Sequence, residues 1–276
     1  RLPSASSRLE AMRSSMSTVA LLALCSFAAG FEAPVEAGAT VLVTGATGRT
    51  GSLLYAKLKA DARIGAVRAL VTSIEKARST LKCTKCDASE GIFLGNVTQL
   101  STLTAAMEGV SSVAIAVGAG PSSSPELQHA IEFTGVQNQV RALAAGGGAA
   151  SAAELRVVLC SSMGTTAPNP KPYEGGSILF WKLNAEAFLG ASGVGSVVVK
   201  PCGLSGSSTK TLLVGHDDAL LQTRPPLVSR ENVAAVMAEA VARRSAGLRF
   251  DLCSKEGPPT TDLGALLTAA AEPWQH

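Results

Sequence analysis

The stretch VLVTGATGRTGSLLYAKL, residues 41–58, holds the residues of this chain best placed to do chemistry. Gly45, Gly48 and Gly51 stand three apart where an apolar, strand-like run gives way to a helix-like face. Gly45 permits a tight turn, Gly48 lets a diphosphate approach the main chain, and Gly51 lets helix and strand pack closely. The helix start then offers free N–H groups and a partial positive charge to an anion. Glycine is abundant here, so the triplet takes its meaning from its place between strand and helix, which marks a dinucleotide site.

Charge selects the dinucleotide. An NAD site presents Asp or Glu at the end of the second strand to hold the ribose 2′-hydroxyl. That strand here ends LVTS, with no carboxylate before Glu75, while Arg49 stands inside the turn and Lys76 and Arg78 follow the strand. Such cations attract a 2′-phosphate, and arginine grips it in two places. NADP is therefore expected over NAD. Lys76 and Arg78 could equally line a solvated helix face, so Arg49 carries most of that expectation.

Lys182 is the second conspicuous group, a lone ammonium in the apolar run ILFWKLNAEAF, which reads as the opening of a helix. Burying an unpaired ammonium is costly, which argues against plain core. A side chain reaching out to solvent is the alternative.

These residues must be positioned by an alternation of short buried strands and helical stretches. ATVLVTG, AVRALVT, GIFLGN, SVAIAVGAG, RVVLCSS, GSVVVKPCG and LRFDLCS read as strands. SLLYAKLKA, ELQHAIEFTGVQNQVRALAA, AEAFLGAS and SRENVAAVMAEAVARR read as helices, the last with Ser229 as N-cap and Glu231 in its first turn. The fold class is α/β: a doubly wound parallel sheet with helices on both faces. Two loops, GAGPSSSPE and TTAPNPKPYEGG, directly follow strands and so hang at the carboxyl edge, where such folds bind ligands. Each is expected to act as a substrate lid, with a plain surface connection as the alternative.

The 276 residues, 46% hydrophobic and 16% charged, suit one globular domain with a sizeable core. A net charge of +3, dispersed, with two Trp and two Tyr, sets nucleic acid aside. Cys160, Cys202 and Cys253 lie in strand-like runs and read as small core hydrophobes. Cys83 and Cys86 form C-x-x-C in a polar connection, with no second pair to complete a zinc site, so no metal is expected. They are structural or a regulatory dithiol. His129 and His216 read as isolated and solvated.

From Met12 to residue 30 the chain has the layout of a signal peptide: one Arg, an apolar stretch, then small residues ending at Ala28 and Gly30 before Phe31. The apolar stretch is shorter than the ~20 residues of a membrane span. Residues 1–30 are read as leader, 31–38 as a short linker or transit remnant, and 39–276 as a single domain, with residues 1–11 a fragment edge or upstream read-through. AAGFEAP resembles the bipartite leaders of algae with secondary plastids, which implies a plastid destination; the secretory pathway is the alternative. No membrane association is expected of the mature form.

Over residues 39–272 the chain resembles the atypical short-chain dehydrogenase/reductases of the NmrA-like, NAD(P)H-binding type, especially plant and chloroplast proteins of that fold. Besides TGATGRTG, the likeness is carried by IEFTGVQNQVRAL, VVLCSSMGTTAPNP, ILFWKLNAEAFL, VVVKPCGL and LLVGHDDALLQT. It implies a Rossmann-like domain with a small C-terminal substrate region. Gly45, Thr47, Gly48, Arg49, Thr50 and Gly51 would hold the phosphates, Asn96 and Val97 would flank the adenine, and Pro201, Gly203 and Leu204 would line the nicotinamide pocket. Lys182 would bond the nicotinamide ribose. Asn96 stands where Asp is more usual, and Thr72 where many relatives carry a second 2′-phosphate arginine.

Many such reductases place a proton-donating tyrosine four residues before the lysine; here that residue is Ile178. The usual proton relay is therefore absent. Ser161 and Ser162, at the end of the fifth strand, and Tyr173 in the loop beyond are the remaining hydroxyls. Two functions stay open. One is an NADPH-dependent oxidoreductase acting on a small carbonyl, quinone-like or pigment-like acceptor. The other is a non-catalytic NADP-binding redox sensor or assembly scaffold with a protein partner.

Overall fold

In the computed structural model, which describes residues 38–120, 122–149, 151–166, 178–206, 210–223 and 225–271, the apolar runs become strands of a sheet buried on both faces. β1 (Thr40–Thr44) leads through the glycine turn into α1 (Gly51–Ala60), then β2 (Ala66–Val71), α2 (Ile74–Leu81), β3 (Ile92–Leu94), α3 (Thr104–Met107) and β4 (Ser112–Ile115). α4 (Pro125–His129) passes through a π-turn, Ala130–Thr134, into α5 (Gly135–Gly146), followed by β5 (Arg156–Cys160), α6 (Ile178–Ala191) and β6 (Gly195–Pro201). The short strands β7 (Gly203–Ser205), β8 (Thr211–Gly215) and β9 (Leu227–Ser229) precede α7 (Arg230–Ala242), β10 (Leu248–Lys255) and α8 (Leu263–Ala269).

The main sheet runs β3-β2-β1-β4-β5-β6-β10-β8. Every pair is parallel except β10 with β8. The strand order reverses between β1 and β4, which opens a crevice at their carboxyl ends. Two cores show why both faces are covered. Val41 and Val43 of β1 and Ala69 and Val71 of β2 pack with Leu54 and Leu58 of α1 and Val233 and Met237 of α7. The intervening Leu42 and Leu70 face the other way, onto Met107, Val140, Leu143 and Leu189. Strand periodicity of two thus supplies both layers from one run. Each fully buried leucine stabilises the fold by roughly 1.5–3 kcal/mol.

The long helix expected at 126–145 is broken by the π-turn, while α6, Ile178–Ala191, joins the helix opening read in ILFWKLNAEAF to AEAFLGAS. α2, α8 and the strands β7 to β9 belong to none of the expected elements. β7 and β9 pair with each other, and with β8 and the turn Ala219–Gln222 they form the small C-terminal excursion. Ser229 caps α7, its side chain accepting from the Asn232 N–H. The leader and the linker up to Ala37 lie outside the described residues, as do Tyr173 and most of the loop after β5. No helix among the described residues is long and apolar enough to cross a membrane.

One cysteine expectation changes. Cys202 and Cys253 are in the core as expected, but they bond to each other rather than standing as free thiols: β6 and β10 are neighbours, and their carboxyl ends set the Cα atoms 5.2 Å apart. Cys83 and Cys86 are also disulfide-bonded, in a loop whose Thr84 and Cys86 N–H groups donate to Glu90. That loop leads into β3 and so lies at the amino edge, across the sheet from the glycine turn. Cys160 is free.

Candidate cofactor and active site

The glycine turn closes with the Gly48 N–H donating to the Gly45 carbonyl at 2.8 Å, and α1 begins at once, Ser52 N–H donating to Gly48 O at 3.0 Å. Gly45 has φ +71°, and a Cβ there would come within 2.5 Å of the Ala116 carbonyl of the adjoining chain after β4. A Cβ on Gly51 would lie 2.0 Å from Gly45 O. The sequence folds this way because only glycine permits both. Thr50, at the N-cap, makes no side-chain cap bond, and the first turn of α1 holds no acid. The uncapped N–H groups and the dipole face the crevice, a cradle that fits a diphosphate.

At the end of β2, Ser73 caps α2 by accepting from the Lys76 N–H and donates to the Glu75 carboxylate. Thr72, Lys76 and Arg78 are exposed around it. Asn96 is exposed, but its side-chain carbonyl already accepts from the Thr98 N–H and hydroxyl, while Val97 is buried and its carbonyl accepts from the Asn138 amide. Pro201 is buried at the end of β6, and Gly203 and Leu204 are exposed beyond it.

Lys182, on the first turns of α6, pairs with Glu132 of the π-turn at 2.8 Å; the side chains are 13% and 3% exposed. The other oxygen of Glu132 accepts from the Ala119 N–H at 2.6 Å, so one carboxylate ties the loop after β4 to the lysine. Burial alone would depress the lysine, but the attraction and hydrogen bond of Glu132 outweigh it and hold the ammonium above its ordinary pKa. Lys182 is thus a permanently charged donor, neither bare core nor a solvent-reaching chain. Cys160, nearby at the end of β5, has its thiol pushed up by burial.

Ser161 and Ser162 part company. Ser161 is buried and donates to Glu186, one α-helical turn beyond Lys182. Glu186 also accepts from Thr165 at 3.3 Å and from the Arg249 guanidinium at 2.9 Å. Ser162 is half-buried and donates to the Met163 carbonyl at 2.9 Å. Beneath them Lys200, fully buried, bonds Asp218 at 2.7 Å, Thr166 at 2.9 Å and Asp251 at 3.2 Å. Asp218 accepts in addition from the Gly164 and Thr166 N–H groups. Burial works against its charge, but Lys200 and these donors prevail and lower its pKa; burial raises that of Asp251. This latch pins the start of the loop after β5.

His129 is not isolated: it lies 4.2 Å from the Trp181 ring and 5.8 Å from Phe133, and Phe180 meets Trp181 edge-on at 4.8 Å. α4 and α6 each follow a parallel strand, so these rings line the same carboxyl edge as Lys182. His216 is not solvated either; its Nδ1 lies 3.2 Å from the Arg249 carbonyl. Sequence reasoning missed Glu132, Glu186 and Arg249. Glu132 and Glu186 lie within quoted motifs, and an acid in an otherwise core-facing helix was the available signal.

A strand, a glycine turn and a helix at the point where the strand order reverses define a dinucleotide-binding α/β protein of Rossmann-like fold. The chain belongs to the NAD(P)H-binding family, whose model matches residues 45–244. It is 32% identical over 254 residues to an uncharacterized chloroplastic protein of Arabidopsis thaliana, covering 83% of this chain and 74% of the other. Sanguinarine reductase of Eschscholzia californica is 28% identical over 277 residues, 85% of this chain and 97% of the relative. Among solved structures, a protein named as an NAD-dependent epimerase/dehydratase from Bacillus halodurans matches with a TM-score of 0.65 at 21% identity, covering 84% of this chain and 100% of that one.

Proposed function

We propose that the protein is an NADPH-dependent oxidoreductase that reduces a small carbonyl, quinone-like or pigment-like acceptor without a tyrosine acid. The observation that carries this is the charged Lys182, held by buried Glu132 on the carboxyl edge beside an aromatic wall. When bound, the nicotinamide supplies the hydride. Lys182 bonds its ribose, and the Trp181 and Phe180 faces orient a flat acceptor against it. Ser161 is buried and committed to Glu186; Ser162, half-buried, would face that acceptor by turning its hydroxyl from the Met163 carbonyl. Lys76 at the end of β2 favours the 2′-phosphate. A relative named for reducing sanguinarine supports a reductase. The chloroplastic relative and the leader together support a plastid destination.

One observation favours the sensor reading: Ile178 begins α6, so no phenol stands four residues before Lys182. Residues 31–276 mixed with NADPH and a panel of quinones, flavins and aldehydes decide between them. Oxidation of NADPH that is lost in Lys182→Ala is expected; tight binding with no oxidation across the panel leaves a sensor.

A further inference from the structure

α2 runs from the carboxyl edge of the sheet back to the amino edge. Ser73 caps its start at the end of β2, and its last residue, Leu81, gives way to the loop that carries the Cys83–Cys86 disulfide and leads into β3. Its eight residues make about 12 Å of helix, too short to be stable alone. Ala77 is its one buried residue, with Ile74 and Leu81 packed partly against the same core. The helix therefore depends on how its two ends are held.

Beyond its last turn, Lys82 and Cys86 have φ of +59° and +57°, a left-handed conformation disfavoured for residues with a side chain. Two cross-links keep the loop in that shape. One is Glu90, whose carboxylate accepts from the Thr84 N–H at 3.3 Å and the Cys86 N–H at 2.7 Å. The other is the disulfide, which joins Cα atoms 5.0 Å apart. Its two sulfurs differ in reach. Cys86 is buried, in the same core as Ala77 and Ile92, whereas Cys83 is half-buried between exposed Lys82 and Thr84, with exposed Lys85 one residue further. A thiolate arriving from solvent meets Cys83 first, among the cations that favour thiolate chemistry. The Cys202–Cys253 bond, its residues 5% and 0% exposed, is out of reach of the same reagent.

We propose that Cys83–Cys86 is a reversible exchange site for a vicinal dithiol, and that its reduction loosens α2. The incoming thiolate attacks Cys83 Sγ, the S–S bond breaks, and Cys86 leaves as a thiolate that takes up a proton. The second thiolate of the reductant then attacks the reductant's own sulfur in the mixed disulfide, and Cys83 leaves and is protonated. Two electrons and two protons pass to the protein, and the reductant departs as a disulfide. A monothiol completes only the first half, because Glu90 keeps Cys86 beside the adduct and Cys86 expels it. Resting on the reading of Lys76 above, the start of α2 meets the 2′-phosphate, so loosening its far end weakens NADPH and spares NADH.

The test equilibrates the full chain with dithiothreitol or, at equal thiol concentration, with glutathione, traps free thiols by alkylation and locates them by peptide mass. Each form is then melted and titrated with NADPH and NADH. Dithiothreitol is expected to free Cys83 and Cys86 while Cys202–Cys253 stays closed, and to lower the melting temperature. NADPH should weaken roughly threefold, as loss of one weak hydrogen bond implies, with NADH unchanged. Glutathione should do none of this. The double variant Cys83→Ser/Cys86→Ser should match the reduced chain and ignore dithiothreitol. A Cys83–Cys86 bond that resists dithiothreitol until the protein melts overturns the exchange site. So does a response retained in the double variant, which belongs to Cys202–Cys253. Reduction that leaves both the melting temperature and NADPH affinity unchanged overturns the coupling through α2. A wild-type chain that binds neither nucleotide removes the cofactor reading and leaves the exchange site to stand on the thiol and melting measurements.

Discussion

Replacing Glu132 by glutamine keeps the shape and the acceptor for the Ala119 N–H but takes away the charge that balances Lys182. The pair is 2.8 Å apart with both side chains mostly buried, so solvent does little to screen it. A hydrogen bond between charged groups in that setting is worth about 1.5–3 kcal/mol, or roughly 10- to 150-fold in an equilibrium. Burial then dominates and pulls the lysine pKa down. The sign follows from linkage: a lysine with a raised folded pKa gives stability that is complete below its unfolded value and lost as pH rises through the folded one. In Glu132→Gln the folded pKa drops below the unfolded one and the sign reverses: the buried ammonium costs stability below the folded pKa, and that cost is relieved as pH rises. If Lys182 donates to the nucleotide, NADPH affinity of the wild type should hold from pH 7 to pH 10. That of the variant should fall across the same range by roughly tenfold more. Titrations by nucleotide fluorescence, with melts to verify folding, give both numbers. Parallel pH profiles for the two proteins would refute the assignment of Glu132 as the group that keeps Lys182 charged.

Gly45→Ala forces a Cβ to 2.5 Å from Ala116 O at φ +71° and should cost about 1–3 kcal/mol from backbone strain alone, with nucleotide binding abolished; urea unfolding and titration report on each. Lys200→Met leaves Asp218 and Asp251 buried together and should destabilise the fold by about 3–5 kcal/mol, while a second change, Asp251→Asn, recovers part of it in thermal melts. Asp218 has a lowered pKa, so its contribution is present above the ordinary carboxylate range and is lost as pH falls through its folded value. Asp218→Asn should accordingly flatten the acid limb of a stability-against-pH curve, and an unaltered limb would count against the latch.

The parts that the sequence declared were local. Strand runs of β1 to β6 and β10, the glycine turn, and the Ser229 cap depend on neighbours in the chain, so spacing alone exposes them. What escaped it was assembled across the chain. Glu132 meets Lys182 only because a π-turn brings the acid inward, and Glu186 meets Arg249 across 63 residues. β8 is an antiparallel edge strand inside a segment whose residues, LLVGHDDALLQT, read as a motif rather than as an element. Cys202 and Cys253 looked like separate core thiols because adjacency of β6 and β10 is a fact of sheet order.

The widened turn at Ala130–Thr134 acts as a phase shifter. One residue in a regular helix is worth about 100° of rotation, so the extra residue re-aims everything downstream. Upstream, His129 faces Trp181; downstream, Gln139 accepts from the Thr44 hydroxyl beneath the glycine turn at 2.7 Å. Removing a single residue here would restore an ordinary spiral and swing those two ends out of alignment. The aromatic edge and the floor of the nucleotide crevice are geared to one another by five residues.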